Sequence, residues 1–134
     1  MAAGTPTQFP RGNGEMVLVV DDEENIRLIT QATLEKYGYA VATATDGTDG
    51  LAQYALNRER IALVLSDIAM PYMDGPAMIR ALKRIEPNAQ VIVMSGLLNP
   101  EQIVELDRLK VNAYLSKPFT ADTLLTTIAD VLNN

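Results

Sequence analysis

Residues 61–75 read IALVLSDIAMPYMDG and place a single aspartate, Asp67, at the end of an apolar run. A run that is apolar at nearly every position is typical of a parallel strand buried on both faces. The Asp74-Gly75-Pro76 that follows predicts a turn and a helix start, because proline favours the first helical position. This stretch therefore predicts a strand, an acidic strand end and a helix, which is the repeating unit of an α/β sheet.

The rest of the chain repeats this alternation. Apolar runs occupy 16–20, 39–44, 61–66, 90–94 and 113–115. Between and after them, helical spacing predicts five helices, with inward faces that include Ile26, Ile29, Thr33 and Tyr37 in the first, Leu51, Tyr54 and Ala55 in the second, and Ile103, Leu106 and Leu109 in the fourth. Five strand–helix units predict a five-stranded parallel sheet with helices on both faces.

Charged residues follow three of the predicted strands. Asp21 and Asp22 end the first run, Asp67 ends the third, and Lys117-Pro118 follows the fifth. In open parallel sheets, ligands bind beyond the carboxyl ends of the strands. Each acid taken alone fits a helix cap equally well. Together, three converging carboxylates require a cation, and oxygen ligands without sulfur or nitrogen favour Mg²⁺, with Mn²⁺ as a substitute.

Composition excludes several classes of function. The 134 residues contain no histidine and no cysteine, so the chain has no imidazole base, no thiolate nucleophile and no disulfide. A net charge of −6 argues against nucleic-acid binding. No apolar run is long enough to cross a membrane, and the N-terminus lacks a secretory signal, so we expect a cytoplasmic protein without direct membrane contact. We expect residues 1–15 to be a flexible linker or tail and residues 16–134 to form one domain.

The combined motifs resemble the receiver domain of two-component response regulators over about residues 15–132. The resemblance implies a flavodoxin-like fold with strand order 2-1-3-4-5. It implies that Asp67 is the phosphoacceptor and that Asp21, Asp22, Asp67 and the backbone carbonyl of Ala69 bind Mg²⁺. It also implies that Lys117 contacts the aspartate and the phosphoryl group, and that Ser95 hydrogen-bonds the phosphoryl oxygen after transfer.

The same resemblance assigns supporting roles. Tyr114, three residues before Lys117, occupies the aromatic switch position, and together with Ser95 it would form the switch. Structural support for the site falls on Met70, Pro71, Gly75, Gly96 and Pro118, and the Lys117-Pro118 peptide is expected to be cis. Ala69 and Leu97 are apolar where some relatives carry polar side chains that place attacking water.

The expected partners also follow from the resemblance. They are a histidine kinase or histidine phosphotransfer domain as donor and a downstream protein effector, for a monomer or weak dimer in a phosphorelay. Such a domain is a signalling module that catalyses its own phosphorylation and dephosphorylation and is not otherwise an enzyme. Residues 9–15 resemble the linker before the C-terminal receiver of hybrid histidine kinases, so a fragment of such a kinase is the favoured context.

Two alternatives remain at this point. A Mg²⁺-dependent phosphatase of the haloacid dehalogenase type also uses an aspartate nucleophile and a lysine, but its Asp-x-Asp pattern would require an acid where the chain has Ala69. A flavodoxin-like cofactor binder would need a phosphate loop rich in Ser and Thr after Val20, and the sequence has none there.

Overall fold

The computed structural model describes residues 9–133. Five strands alternate with five helices. The strands are β1 (Met16–Val20), β2 (Ala40–Ala44), β3 (Ile61–Asp67), β4 (Val91–Ser95) and β5 (Ala113–Ser116). The helices are α1 (Glu24–Lys36), α2 (Gly47–Leu56), α3 (Gly75–Ile85), α4 (Pro100–Arg108) and α5 (Ala121–Leu132).

The strands form one parallel sheet in the order β2-β1-β3-β4-β5, which confirms the predicted fold class and strand order. Val20 pairs with Ser66, so Asp21 and Asp67 follow neighbouring strands at the same edge. Ser95 pairs with Ser116, which brings Lys117 to that edge as well. The register thus gathers the polar residues that the sequence placed at strand ends.

The sheet separates two hydrophobic clusters, and β1 contributes to both. Val17 and Val19 pack in the cluster that contains Leu34 of α1 and the buried face of α5. Leu18 and Val20 pack in the cluster that contains residues of α2, α3 and α4. Because side chains alternate across a strand, burial on both faces requires a continuous apolar run.

Three details of the predicted helix faces are wrong. In α1 the buried residues are Thr30 and Leu34, whereas Ile29 is 65% exposed. In α2 Tyr54 is buried and Ala55 is exposed, and in α4 Leu106 is buried while Ile103 is exposed. In each helix fewer residues are buried than the apolar spacing predicts. Which residues of the helix face the sheet is set by packing against it, and spacing alone does not determine this.

The described residues before β1 contact the end of α1. The backbone N–H groups of Gly12 and Gly14 donate hydrogen bonds to the carbonyls of Tyr37 and Gly38, both at 2.8 Å. The Phe9 ring packs edge-on against Tyr37 with 5.4 Å between ring centroids. The predicted linker or tail over residues 1–15 stays a prediction, and its first eight residues lie outside the described residues. Within residues 9–133, every helix is too short or too polar to cross a membrane.

Candidate functional site

Three carboxylates converge at the carboxyl edge of the sheet. Asp21, Asp22 and Asp67 each offer an oxygen, and these oxygens lie within 4.8 Å of one another. Asp21 is fully buried and Asp67 is 9% exposed, whereas Asp22 faces solvent. A cluster with one exposed and two buried acids is open to an ion on one side and held by the protein on the other.

Backbone contacts hold the two buried acids in place. One carboxylate oxygen of Asp67, Oδ1, accepts a hydrogen bond from the N–H of Ile68 at 2.8 Å. Asp21 Oδ1 accepts from the N–H of Glu23 at 2.9 Å, and the Asp21 carbonyl accepts from the Arg27 guanidinium at 2.9 Å. Each acid therefore keeps its Oδ2 atom for interactions within the cluster.

Lys117 is the cation of the site. Its ammonium lies 2.8 Å from Asp21 Oδ2 and 3.3 Å from Asp67 Oδ2, with Glu23 Oε1 at 3.5 Å. The Lys117 backbone N–H donates to the carbonyl of Ser95 at 2.9 Å, which ties the residue to β4. The Lys117-Pro118 peptide is cis, as predicted.

The charges of these groups shift one another's proton affinities. Burial raises the pKa of the Asp67 carboxyl, and the charge of Asp21 raises it further, against the lowering effects of the Ile68 N–H and the Lys117 ammonium. Burial alone would lower the pKa of Lys117, but its hydrogen bond and attraction to Asp21, together with the charge of Asp67, outweigh burial and raise it. Lys117 is therefore a permanent cation beside a carboxylate that its surroundings only partly stabilise.

The loop after Asp67 depends on a glycine. A Cβ atom on Gly75 would lie 2.3 Å from the Asp67 carbonyl oxygen, and the Gly75 N–H donates to the Ile68 carbonyl at 2.8 Å. Asp74 caps α3 by accepting from the N–H of Ala77. Met70 packs against the hydrophobic cluster under α3, and Pro71 accepts a hydrogen bond from Met73. This packing is consistent with the support role predicted for Met70, Pro71 and Gly75.

The side-chain hydrogen bonds of the predicted switch residues go to groups other than Asp67. The Ser95 hydroxyl exchanges hydrogen bonds with the backbone of Leu97, accepting from its N–H and donating to its carbonyl, both at 3.2 Å. Apart from its chain neighbours Ser95 and Leu97, nothing lies within 4 Å of the place where a Cβ of Gly96 would be, so the space beside Gly96 is open. Tyr114 is 40% exposed, and its hydroxyl donates to Asp107 of α4 at 2.7 Å.

The acid cluster fits a hard divalent cation. All of its donor atoms are carboxylate oxygens, which is the ligand set that Mg²⁺ prefers. The converging negative charges also need neutralisation beyond what one lysine supplies. The backbone carbonyl of Ala69, expected as a further ligand, stays a prediction.

Sequence reasoning missed two acidic residues. Glu23 follows the Asp pair directly and fits a helix cap, yet its side chain reaches Lys117. Asp107 carried no signal, because it lies in a helix seven residues before Tyr114 and no local spacing rule links the two. Only the packing of α4 beside β5 brings that pair together.

Comparisons with known proteins agree with this geometry. The family model described as "Response regulator receiver domain" matches residues 17–129. The chain is 36% identical over 126 residues to the chemotaxis protein CheY of Treponema pallidum, covering 93% of this chain and 88% of that protein. It is 32% identical to the sensor kinase CckA of Brucella abortus, covering 87% of this chain but only 12% of the kinase.

A solved structure gives the same result for the fold. The structure of the chemotaxis protein CheY4 of Vibrio cholerae matches with a TM-score of 0.82 and 32% identity, and the alignment covers 88% of this chain and 98% of that one.

Proposed function

This chain belongs to the response regulator receiver domain family of two-component systems, and on that premise we propose that Asp67 is its phosphoacceptor. Receivers are phosphoaccepting signalling modules. The observation that carries the assignment is the position of Asp67, which lies 3.3 Å from Lys117 and shares a cluster of carboxylates with Asp21 and Asp22. The family match supports this function and gives no support to the phosphatase of the haloacid dehalogenase type.

The donor is a phosphohistidine of a histidine kinase or a histidine phosphotransfer domain. This chain has no histidine of its own, so the donor imidazole belongs to a partner or to another part of a longer protein. In the transfer, an oxygen of the Asp67 carboxylate forms a bond to phosphorus while the phosphorus–nitrogen bond breaks. The electron pair of the broken bond returns to the imidazole nitrogen, and the product is an acyl phosphate on Asp67.

The site contributes mainly position and charge, which is what phosphoryl transfer requires. Oδ1 of Asp67 is held by the Ile68 N–H, so Oδ2 is the oxygen left for attack. Mg²⁺ or Mn²⁺ held by Asp21, Asp22 and Asp67, with the Ala69 carbonyl, would neutralise charge on the phosphoryl oxygens. Lys117 supplies a second positive charge, 3.3 Å from Oδ2 of Asp67.

After transfer, Ser95 and Tyr114 carry the change to the surface. The Ser95 hydroxyl leaves the Leu97 backbone and donates a hydrogen bond to a phosphoryl oxygen. The open space beside Gly96 leaves room for the phosphoryl group. Tyr114 then moves inward, which alters the surface formed by α4, β5 and α5. A downstream protein effector reads that surface.

We further propose the cellular context of the domain. It acts in the cytoplasm without direct contact to nucleic acid or membrane, and a hybrid histidine kinase is the favoured parent. The similarity to part of a sensor kinase supports that parent, while the similarity to most of a chemotaxis protein supports a separate receiver.

Phosphorylation by acetyl phosphate, followed by intact-protein mass spectrometry, tests the assignment. We expect one phosphoryl group on the wild type in Mg²⁺ or Mn²⁺ and none on Asp67→Asn. Asp130→Asn, which changes an exposed acid of α5, is the matched control and should be labelled like the wild type. Equal labelling of Asp67→Asn, or full labelling of the wild type in excess chelator, would show that the assignment is wrong.

A further inference from the structure

The Tyr114 hydroxyl donates a hydrogen bond of 2.7 Å to a carboxylate oxygen of Asp107. This bond joins the last turn of α4 to β5 and holds the tyrosine ring at the surface, where it is 40% exposed. Hydrogen bonds to a charged acceptor are shorter and stronger than neutral ones. The burial of the ring and the bond to Asp107 raise the pKa of Tyr114 to about 12, so the hydroxyl remains a donor at neutral pH.

A cavity of about 230 Å³ borders the Tyr114 ring. Its lining includes Ser95, Gly96, Leu98 and Tyr114 itself, while Asp107 is outside that lining among the described residues. A cavity of about 150 Å³ is enough to hold a benzene molecule, so this space is large enough for a phenol ring. A ring that turned into it would carry its hydroxyl away from Asp107.

The position of Asp107 has no explanation in the stability of α4. Asp107 lies in the last turn of the helix, where the partial negative charge of the carbonyls disfavours an acid. The helix keeps a basic residue, Arg108, in the same turn, which is the favourable arrangement. Asp107 therefore does not stabilise the helix, and the contact its side chain does make is the hydrogen bond with Tyr114.

We propose that Asp107 is a positioning residue that holds Tyr114 outside the cavity and thereby keeps the switch in its unphosphorylated arrangement. The proposal rests on the proposed function, because it concerns the switch of the same site. The hydrogen bond exists only when the ring is outward, so it stabilises one of two arrangements, and its loss must shift the population toward the other. The same shift raises the affinity for any ligand that favours the inward ring.

Beryllofluoride with Mg²⁺, a mimic of the phosphoryl group, is the probe for this shift. We expect Asp107→Ala to bind it about five- to tenfold more tightly than the wild type, since the net contribution of a typical hydrogen bond on a partly exposed side chain has this order of magnitude. Asp107→Asn keeps an uncharged acceptor and should fall between the two. Glu101→Ala removes an acid from the first turn of the same helix and serves as the charge control, with an affinity unchanged from the wild type.

A double-variant cycle separates this role from a structural one. In a Tyr114→Phe background there is no hydroxyl to hold, so Asp107→Ala should leave the affinity unchanged. An equal gain in both backgrounds would overturn the proposal, because Asp107 would then act through another group. Equal affinity of Asp107→Ala and the wild type would overturn it as well.

The ring can also be observed without any ligand. In protein with ¹³C-labelled tyrosine, the Tyr114 signal is identified by its loss in Tyr114→Phe. We expect Asp107→Ala to move that signal toward its position in the beryllofluoride complex, and an unmoved signal would contradict the proposal. Failure of the wild type to bind beryllofluoride would overturn the proposed function together with the role of Asp107, whereas failure of the variants alone would overturn only the latter.

Discussion

Ala69 and Leu97 are the two positions beside Asp67 where this chain offers no polar side chain to attacking water. Both are exposed, and Leu97 projects into solvent with 90% of its surface accessible while its backbone is bound to Ser95. Hydrolysis of the acyl phosphate needs a water aligned behind phosphorus, and alignment of this kind strongly affects rate. The lifetime of phospho-Asp67 should therefore depend on these two residues.

We predict that Ala69→Asn combined with Leu97→Glu shortens the lifetime of phospho-Asp67. One oriented hydrogen bond can contribute about 1.4 kcal/mol to the barrier, which corresponds to about tenfold in rate. The measurement is the decay of phospho-Asp67 at fixed Mg²⁺ after removal of the donor. Leu97→Met keeps an apolar side chain and should decay like the wild type. If the double variant decays no faster than the wild type, these positions do not set the lifetime.

At the level of single residues, the sequence predicted which side chains lie together because they follow the ends of parallel strands. Asp21, Asp22, Asp67 and Lys117 follow buried runs, and parallel strands bring such positions to one edge. The contact between Asp107 and Tyr114 could not be predicted in this way, because it depends on where α4 packs relative to β5. Tertiary packing of this kind leaves no pattern in the neighbouring residues.

For the helices and strands too, some features follow from local sequence and others only from tertiary packing. Strand positions, the proline at the start of α3, and the Asn99 and Thr120 caps all follow from short-range chemistry, and they were predictable. The inward face of α1 was not predictable. Helical spacing fits either Ile26 and Ile29 or Thr30 and Leu34 as the buried residues, and the structure buries the second pair. The structure leaves Ile26 and Ile29 beside Phe119 near the surface, where they line an apolar groove next to Lys117.

Gly14, before β1, and Gly38, between α1 and β2, allow a prediction about stability. It concerns the joint, by which we mean the contact of residues 9–15 with the turn between α1 and β2. Gly38 has φ +97°, and a Cβ there would lie 2.4 Å from the Gly12 carbonyl oxygen. Gly14 has φ +89° with nothing within 4 Å. We predict that Gly14→Ala costs about 1 kcal/mol for its left-handed backbone. Gly38→Ala should cost roughly 1–2 kcal/mol more, because backbone atoms must also shift.

Urea unfolding followed by circular dichroism measures both changes, with the slope of the transition checked for constancy. Gly96→Ala is the matched control, since Gly96 has neither a positive φ nor a neighbour within 4 Å, and its free energy of unfolding should stay close to that of the wild type. Equal losses at Gly38 and Gly14 would mean that the contact with Gly12 contributes nothing. The result would then count against an ordered joint between residues 9–15 and the domain.

On the scale of the whole molecule, charge is unevenly distributed around the switch surface. The sequence has no Lys or Arg after Lys117, so α5 carries the acids Asp122 and Asp130 and no base. The neighbouring α4 adds three acids, Glu101, Glu105 and Asp107, against one base, Arg108, and Glu105 is paired to Arg80 of α3. Two copies that met through α4, β5 and α5 would face acid with acid, and like charges across an interface disfavour association.

We predict that beryllofluoride with Mg²⁺ does not drive this chain into a dimer through α4, β5 and α5. Receivers of the winged-helix regulator class dimerise through charge pairs on this face, and α5 here lacks the cation such pairs need. Sedimentation velocity should give the same monomer or weak dimer with and without beryllofluoride. Raising the salt concentration should not weaken any residual association, because salt screens the repulsion between the acidic faces.

A charge-reversal variant makes this prediction sharper. Asp122→Arg with Asp130→Lys supplies α5 with two cations opposite the acids of α4, and we expect it to self-associate more strongly at low salt than the wild type. Glu35→Lys with Glu59→Lys produces the same change in net charge on exposed positions elsewhere and should remain like the wild type. Both α5 cations would then face carboxylates across the contact, so added salt should reverse the gain. The electrostatic argument would be contradicted by a tight wild-type dimer that forms only with beryllofluoride. If alanine substitution of Ile103 and Val104 then abolished that dimer, the exposed apolar residues of α4 would be what drives assembly.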